Sequence, residues 1–452
     1  MIINSITVRP GKGKSSGVAL VLVIAVTFLV SLLIGLMMTQ YILKRRQIQT
    51  VRQKIQAFYT TEAGLKKALY YLRHAEIKGS SWRTGDFFQD SPIREKVFYD
   101  RDDEAEISVL DDFAFLRIRS RAVGQIDQPL QVLIAGVMPE AMKSNLLLVS
   151  AQPLILYAGS QLNGLIKLNH EPIYQGGAVN GILETGTTLT LPDILDKPFS
   201  SSAEYMKYLL GHPQYFEVEL HSPRVFSPQN PLPANRVFVN DAVLLENRDP
   251  DLSWRPKNNL TLASTAEIQI SGWTIIANAK IAAIGPVRFL DNSKVISSYV
   301  YSETGIEITG SANISGMLIA PEIKISKEAR CLNPTIIYCG PPFKAGRITL
   351  NNDSLNQCCI VNLNAGKNSR TEIIRPAKLE GLVYSRAPIT LSGEVTGYVF
   401  GQTFYEANLL PDTTKTNILT GIIKQADTSD VLTIPVIFEG IRDFRIIQWL
   451  NR

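Results

Sequence analysis

Ile314-Ser315-Gly316-Met317-Leu318-Ile319, followed by Ile325, is one copy of a motif that repeats through the C-terminal two-thirds of the chain. It runs apolar, polar, Gly, then several apolar residues, with an Ile nine beyond the glycine. The same pattern recurs at Leu162-Asn163-Gly164-Leu165-Ile166 with Ile173, at Ile270-Ser271-Gly272-Trp273-Thr274-Ile275 with Ile281, and at Leu379-Glu380-Gly381-Leu382-Val383 with Ile389. Ile296-Ser297-Ser298-Tyr299-Val300 with Ile306 fits with Ser for Gly, and Val395-Thr396-Gly397-Tyr398-Val399 opens a last copy. The 65-residue gap from 316 to 381 holds about three such units. Short β-type segments repeating every ~20 residues, with no helices between them, predict stacked coils in which each unit covers the apolar face of the next. Alternation points Ile and Val inward. Gly164, Gly272, Gly316, Gly381 and Gly397 are expected at solenoid turns, where a coil bends sharply or neighbouring backbones approach closely. Valine at Gly272 or Gly316 is therefore expected to cost about 1–3 kcal/mol. The reading is a right-handed parallel β-helix over 141–410, with a β-sandwich as the alternative.

Outward from the repeat, residues 190–256 break the pattern. Ser202 to Leu210 reads as a helix, with Ser201 and Glu204 as a capping box and Gly211 as a stop. A Pro-rich stretch follows, and the whole reads as an insertion carrying a partner-specific surface. The segment 411–452 ends in Ile437, Phe438, Phe444, Ile446 and Trp449, and reads as a docking strand or short helix. Residues 76–140 read as a small antiparallel sheet. Ala105 to Leu110, Phe113 to Val123 and Leu130 to Val137 alternate, with turns at Asp111-Asp112 and Asp127-Gln128-Pro129. The acidic run Asp100, Asp102, Asp103, Glu104 lacks calcium-loop spacing and reads as a solvated turn.

The N-terminal region has a different logic. Val18 to Met38 is 21 residues without a charge, interrupted only by Thr27, Ser31 and Gly35. That length suits a bilayer core of ~30 Å and exceeds the 7–15 residues typical of a signal peptide. The span passes without a break into an amphipathic helix, with Ile48, Val51, Ile55, Phe58 and Leu65 at steps of three and four for helix packing. Glu62 fills the one polar slot of that series and is expected to be satisfied rather than bare. The rod is read as 18–75, ending at Gly79-Ser80-Ser81, and 1–17 as a basic leader.

The leader ending in Ser16-Gly17, the span starting at Val18 and the segment Ala57-Phe58-Tyr59-Thr60-Thr61-Glu62-Ala63-Gly64-Leu65 carry a resemblance. Together they resemble the N-terminal region of type IV pilin-like proteins, and are most similar to the large minor pilins and pseudopilins of the PilX type. The resemblance covers about residues 10–75. It implies cleavage between Gly17 and Val18 by a prepilin peptidase. It also implies a single-pass span in the cytoplasmic membrane, a cytoplasmic N-terminus, and a body that is periplasmic or carried outside on a filament. The implied partners are other pilin-like subunits and the inner-membrane assembly machinery. The family pattern has Glu at the fifth mature position, where it meets a neighbour's N-terminal amine; this chain has Leu22. It favours Phe or Met as the first mature residue; this chain has Val18.

The 452 residues are 45% hydrophobic and 19% charged, so the chain is not disordered overall. The net charge of +5 is local: residues 1–54 hold eight basic residues and no acid, leaving about −3 for the rest. The soluble body has no basic stripe, so nucleic-acid binding by it is not expected. Three basic residues precede the span and five follow closely, which by the positive-inside rule points the body inward. Large domains translocate largely regardless of such charge, and the resemblance points the body outward. Cys331, Cys339, Cys358 and Cys359 allow disulfides in an exported body, Cys331 with Cys339 closing a short loop. No C-x₂-C pair supports zinc, and no cofactor is expected.

No Walker loop or H-E-x-x-H occurs, and His74, His170, His212 and His221 are scattered. Asp249, Asp251 and Asp291 are the only tempting acids, in loop-like contexts, so the chain is not expected to be an enzyme. The function expected is a structural minor pilin or pseudopilin, at a tip or in initiation of a type IV pilus or type II secretion-type filament. The alternative is a membrane-tethered β-helix that binds or cleaves carbohydrate. A cytosolic scaffold polymer of the bactofilin kind is a third.

Overall fold

The computed structural model describes residues 16–74, 93–98, 103–112, 115–123, 129–136, 144–194, 197–252, 254–257, 259–405, 417–426 and 444–449. The leader 1–15, Gly79-Ser80-Ser81, Asp100, Asp102, the turn residues Asp127 and Gln128, Ile437 and Phe438 lie outside them. The chain forms two compact units, one of residues 1–64, 94–106 and 120–129, the other of residues 65–93, 107–119 and 130–452.

One helix, α1, runs from Ser16 to His74 without interruption. At about 1.5 Å per residue it is about 88 Å long. Thr27, Ser31 and Thr39 return their hydroxyls to the carbonyls of Val23, Thr27 and Gly35, so the apolar half carries no bare side-chain donor there.

The small sheet has five strands in the order Ile93–Lys96, Glu104–Asp112, Phe115–Ala122, Leu130–Gly136 and Phe444–Trp449. Ile107 and Ile118 are fully buried and Arg121 is exposed, as alternation requires. The last strand comes from the C-terminal end of the chain. It pairs antiparallel with Leu130–Gly136, Phe444 opposite Gly136 and Trp449 opposite Val132. Of the apolar tail, Phe444–Trp449 is thus the fifth strand of this sheet.

The body is a parallel β-solenoid, and the β-sandwich alternative falls. Strands alternate down the chain between a fifteen-stranded and a ten-stranded sheet, each pairing in parallel with the strand one coil away. One inward ladder on the larger sheet runs Val237, Leu262, Ile281, Val300, Leu318, Ile337, Ile360, Val383 and Val399. The facing ladder runs Leu245, Ile270, Phe289, Ile308, Ile325, Leu350, Ile373 and Leu391. All are buried in one continuous core. Full burial of such a side chain contributes about 1.5–3 kcal/mol, so the stacked ladders are the main source of stability.

Gly316, Gly381 and Gly397 lie within strands of the larger sheet at φ +125°, +153° and +137°, where the chain kinks rather than turns. The 316–381 gap contains three coil steps, 316 to 335 to 358 to 381, with Thr335 and Cys358 in the glycine register. Gly272 breaks the phase: it belongs to the smaller sheet, at the end of Ile268–Gly272.

The supposed insertion at 190–256 is mostly solenoid. Arg236–Val239 and Val243–Asn247 are regular coil strands, as are Val218–Leu220 and Arg224–Phe226 before them. Their length of three to five residues, between Pro-rich loops, hid them from periodicity. The helix α2 is Lys197–Gly211, starting five residues before the expected Ser202. Pro198 belongs to its first turn, where a missing N–H costs nothing.

The order of coils in space is not their order in the chain. The first strands of the body, Leu146–Leu148, Gln161–Leu168 and Ala178–Glu184, stack beyond Glu394–Gly401, at the end where the last coils lie. The chain then returns through 185–211 to start again at Val218. One coil between Glu394–Gly401 and Gln161–Leu168 is made of two pieces. Ile422–Lys424 fills its first half, opposite Glu394 to Thr396 and Gln161 to Asn163. Leu146–Leu148 fills its second half, opposite Val399 to Gly401 and Ile166 to Leu168. Gln425 and Asn145 take the two positions between: the Gln425 amide donates to Asn163 O at 2.9 Å and the Asn145 amide to Leu165 O at 2.8 Å. The strand is continuous except for one missing peptide bond.

Candidate functional site

Three surfaces stand out, and each follows from what the folded chain leaves bare or covers. The first is α1. Gly17 and Val18 lie in its first turn. The stretch beginning at Leu20 is long and apolar enough to cross a membrane, with mean hydropathy 3.0 and none of it buried. Leu22 is 62% exposed, Met38 is exposed, and a Cβ at Gly35 would meet nothing. The bare apolar stripe continues past the span through Ile48, Val51, Ile55 and Phe58, each about half exposed. Of the expected packing series only Leu65 is buried; Glu62 is half-buried and engaged in a polar or charged interaction. The buried seam is instead Ala57, Thr60, Thr61, Gly64, Leu65 and Ala68, a row of mostly small residues that permits close approach. The stripe from 48 to 58 is left for something other than this chain's described residues.

The second surface is the outer face of the larger sheet, and it is covered. One position after each inward residue stands a second apolar row: Tyr301, Ile319, Tyr338, Val361, Tyr384 and Phe400, all fully buried. The return segment 185–211 lies on this row. Phe199 stacks on Tyr338 with centroids 4.7 Å apart and planes 6° from parallel. The Tyr384 hydroxyl donates to Pro192 O at 3.0 Å, and Lys280 Nζ donates to the Tyr205 hydroxyl at 3.1 Å. Burial holds the Lys280 ammonium below its ordinary range. Part of the segment expected to carry a partner surface thus packs on its own solenoid. Paired apolar residues such as Val300-Tyr301 and Val383-Tyr384 were the readable signal, because a strand buried on both faces reads as a continuous apolar run.

The third surface is the end of the stack. Ile173–Gln175 and Ala178–Glu184 form the last coil beyond Gln161–Leu168, and among the described residues each pairs with a strand on one side only. Ile173, Tyr174 and Ile182 are 46%, 54% and 66% exposed.

The chemistry-bearing residues do not converge. Asp249 accepts from the Asp251 amide at 3.0 Å, and the Asp249 amide donates to Asn247 Oδ1, a turn role. Asp291 holds a positive-φ bend at +56°, two coil steps from that turn. Among the described residues no three His, Cys, Asp or Glu side chains are grouped as a metal site would need. The best-built polar group is Glu372, which takes Arg347 Nη2 at 3.1 Å and the Thr349 hydroxyl at 2.8 Å across adjacent coils. It is a cross-coil brace with no open position beside a cleft.

The cysteines correct the sequence reading. Cys331 and Cys339 sit at opposite ends of one strand, Arg330–Cys339. Cys331 stands opposite Ile314 and Tyr338 opposite Ile319, so with the bulge between them the two cysteines are some six strand positions, roughly 20 Å, apart, against the ~6 Å a disulfide needs between Cα atoms. All four cysteines are free and buried. Burial pushes the Cys339 and Cys358 thiols up, and the Cys359 thiol up to about 12, so they stay neutral and inert. Cys358 meets Cys331 from the next coil, a pairing that sequence spacing does not show.

No family model, curated protein or solved structure matches the chain.

Proposed function

We propose that this chain is a minor pilin- or pseudopilin-like subunit of a type IV pilus or type II secretion-type filament, placed at the tip or at initiation of assembly. The observation that carries the reading is the bare helix: one uninterrupted α1 from Ser16 to His74 whose span, and the stripe of Ile48, Val51, Ile55 and Phe58 after it, are left exposed by the described residues. A lone membrane anchor needs only about 20 apolar residues. A stripe at helical spacing that continues for twenty residues beyond the span asks for neighbouring helices, which subunits of a filament supply. Gly17 followed by Val18 at the start of that helix adds the processing signal. In this reading the N-terminus is cytoplasmic and the solenoid is outside.

Leu22 supports a place at an end of the filament. In filaments of the resembling family, the fifth-position carboxylate answers the N-terminal amine of a neighbour within an apolar bundle. A Leu there leaves that amine unpaired, and an uncompensated buried charge costs several kcal/mol. Only a subunit with nothing above it escapes the cost, while its own Val18 amine can still be met from below. The bulky solenoid suits an end for the same reason of crowding. Immunogold labelling of the solenoid should decorate filament ends. Leu22→Glu should spread label along the shaft. Regular labelling of the shaft by the wild-type chain, or abundance equal to the major subunit, overturns the assignment.

A further inference from the structure

The two ends of the solenoid are built differently. At the Val218 end the stack is closed. Arg224, at an inward position opposite Val243, puts an exposed charge where a further coil would need an apolar residue. Leu232, between Pro231 and Pro233, is buried in the core beside Phe226, and Ser227 and Asn230 exchange backbone hydrogen bonds at 3.0 and 3.1 Å to hold that loop. Inward charge, proline and a covering loop are the means by which proteins block edge pairing.

At the other end the strand Ala178–Glu184 carries no inward charge and no proline. Ala178–Glu184 reads Ala-Val-Asn-Gly-Ile-Leu-Glu, and its one charge, Glu184, is neutralised by Lys167 at 3.1 Å. Its inward residues Val179 and Leu183, in register with buried Leu162 and Ile166, are only partly covered. Tyr174, in register with buried Leu156, is 54% exposed. The Asn180 amide group donates to Asn163 Oδ1 at 2.8 Å, so the side-chain ladder of the coils below continues to the surface. The last coil has the interior's composition, and among the described residues no strand pairs with its outer edge.

We propose that this end pairs with the same end of a second copy of the chain, Ala178–Glu184 running antiparallel to its counterpart about a two-fold axis at Gly181. The strand is self-complementary in that register and in no other of full length. Centring on 181 sets Val179 opposite the second copy's Leu183, inward against inward, and sets Glu184 opposite Ala178. The two copies of Glu184 lie about 20 Å apart along the strand direction, too far to repel strongly in salt. Shifting the centre by half a residue would set inward side chains opposite outward ones. A head-to-tail stack is refused by Arg224 and the proline loop, so the contact closes as a pair rather than a fibre. The inference does not rest on the filament reading.

The test uses the full-length chain in detergent micelles with Ile182→Cys and a short bis-thiol cross-linker. In the proposed pair the two 182 positions are diagonal neighbours about 7–8 Å apart. The four native thiols are buried and do not compete. Ile182→Cys should give a cross-linked dimer, and Val225→Cys, exposed at the closed end, should give at least tenfold less. Ala178→Glu, an exposed change that sets two carboxylates opposite each other, should cut the Ile182→Cys yield severalfold. Ala178→Lys should keep or raise it. A yield no greater than that of Val225→Cys, indifference to both charge variants, or cross-linking of Ile182→Cys only to another subunit, overturns self-pairing.

Discussion

A chain in which Gln425 is joined directly to Asn145, with new termini opened between residues 186 and 191, should fold as a soluble solenoid. It would lack residues 1–144 and 426–452, including all of α1. The expectation follows from the coil made of two pieces, where Gln425 and Asn145 already occupy consecutive strand positions. The new bond replaces two chain ends by one and removes nothing from either ladder. The opposite operation should be ruinous. A chain ending at Tyr405 loses Ile418, Leu419 and Ile423, each at most 1% exposed. It also loses Asn417, which donates to the Ser150 hydroxyl and to Gln152 O and accepts from the Phe404 amide. Three buried aliphatic side chains at about 2–5 kcal/mol each approach the whole stability of an ordinary domain, about 5–15 kcal/mol. Circular dichroism and thermal melting check both: a cooperative β-type transition for the joined chain, and none for the truncated one. A joined chain that fails to fold would mean that the small sheet contributes more than a tether.

Gly381→Val should cost at least about 4 kcal/mol, beyond the range typical of point changes, and Gly272→Val and Gly316→Val should do the same. A Cβ at Gly381 would lie 2.0 Å from Cys358 O, at Gly272 2.0 Å from Asn247 O, and at Gly316 2.1 Å from Ser298 O. These are backbone carbonyls fixed in a sheet ladder; Asn247 O already accepts the Trp273 amide at 2.7 Å. The glycines also hold positive φ, at +153°, +66° and +125°, which a β-branched residue adopts only with strain. Both costs add, which raises the expectation above the 1–3 kcal/mol that spacing alone suggested. Melting of each variant in detergent, against Gly186→Val where a Cβ meets nothing, measures the excess. Gly186 also has positive φ, +79°, so the comparison isolates the carbonyl clash from the backbone strain.

The solenoid was legible because its repeat lies on the core itself: Ile281, Ile325 and Ile389 are inward residues, and Gly316, Gly381 and Gly397 share one register. The phase was not fully legible. Gly272 looks like its fellows in sequence yet belongs to the other sheet, since both sheets use the same apolar alternation. The two-piece coil was hidden for a different reason. Its halves, around residues 146 and 423, are some 280 residues apart, and a three-residue strand carries no period. Cys331 and Cys339 show the limit of spacing arguments. Eight residues apart suits a loop, but within an extended strand it separates the thiols beyond any bridge. On the helix, the 3–4 series found a real stripe, Ile48 to Phe58, but not the seam of small residues beside it, which hydrophobicity does not mark.

If α1 begins as a processed pilin-like helix built to pack among others, the chain recovered from its native membrane or filament fraction should show, by intact mass and N-terminal sequencing, a mature form beginning at Val18 with residues 1–17 absent. Recovery of the chain with residues 1–17 still attached would contradict it.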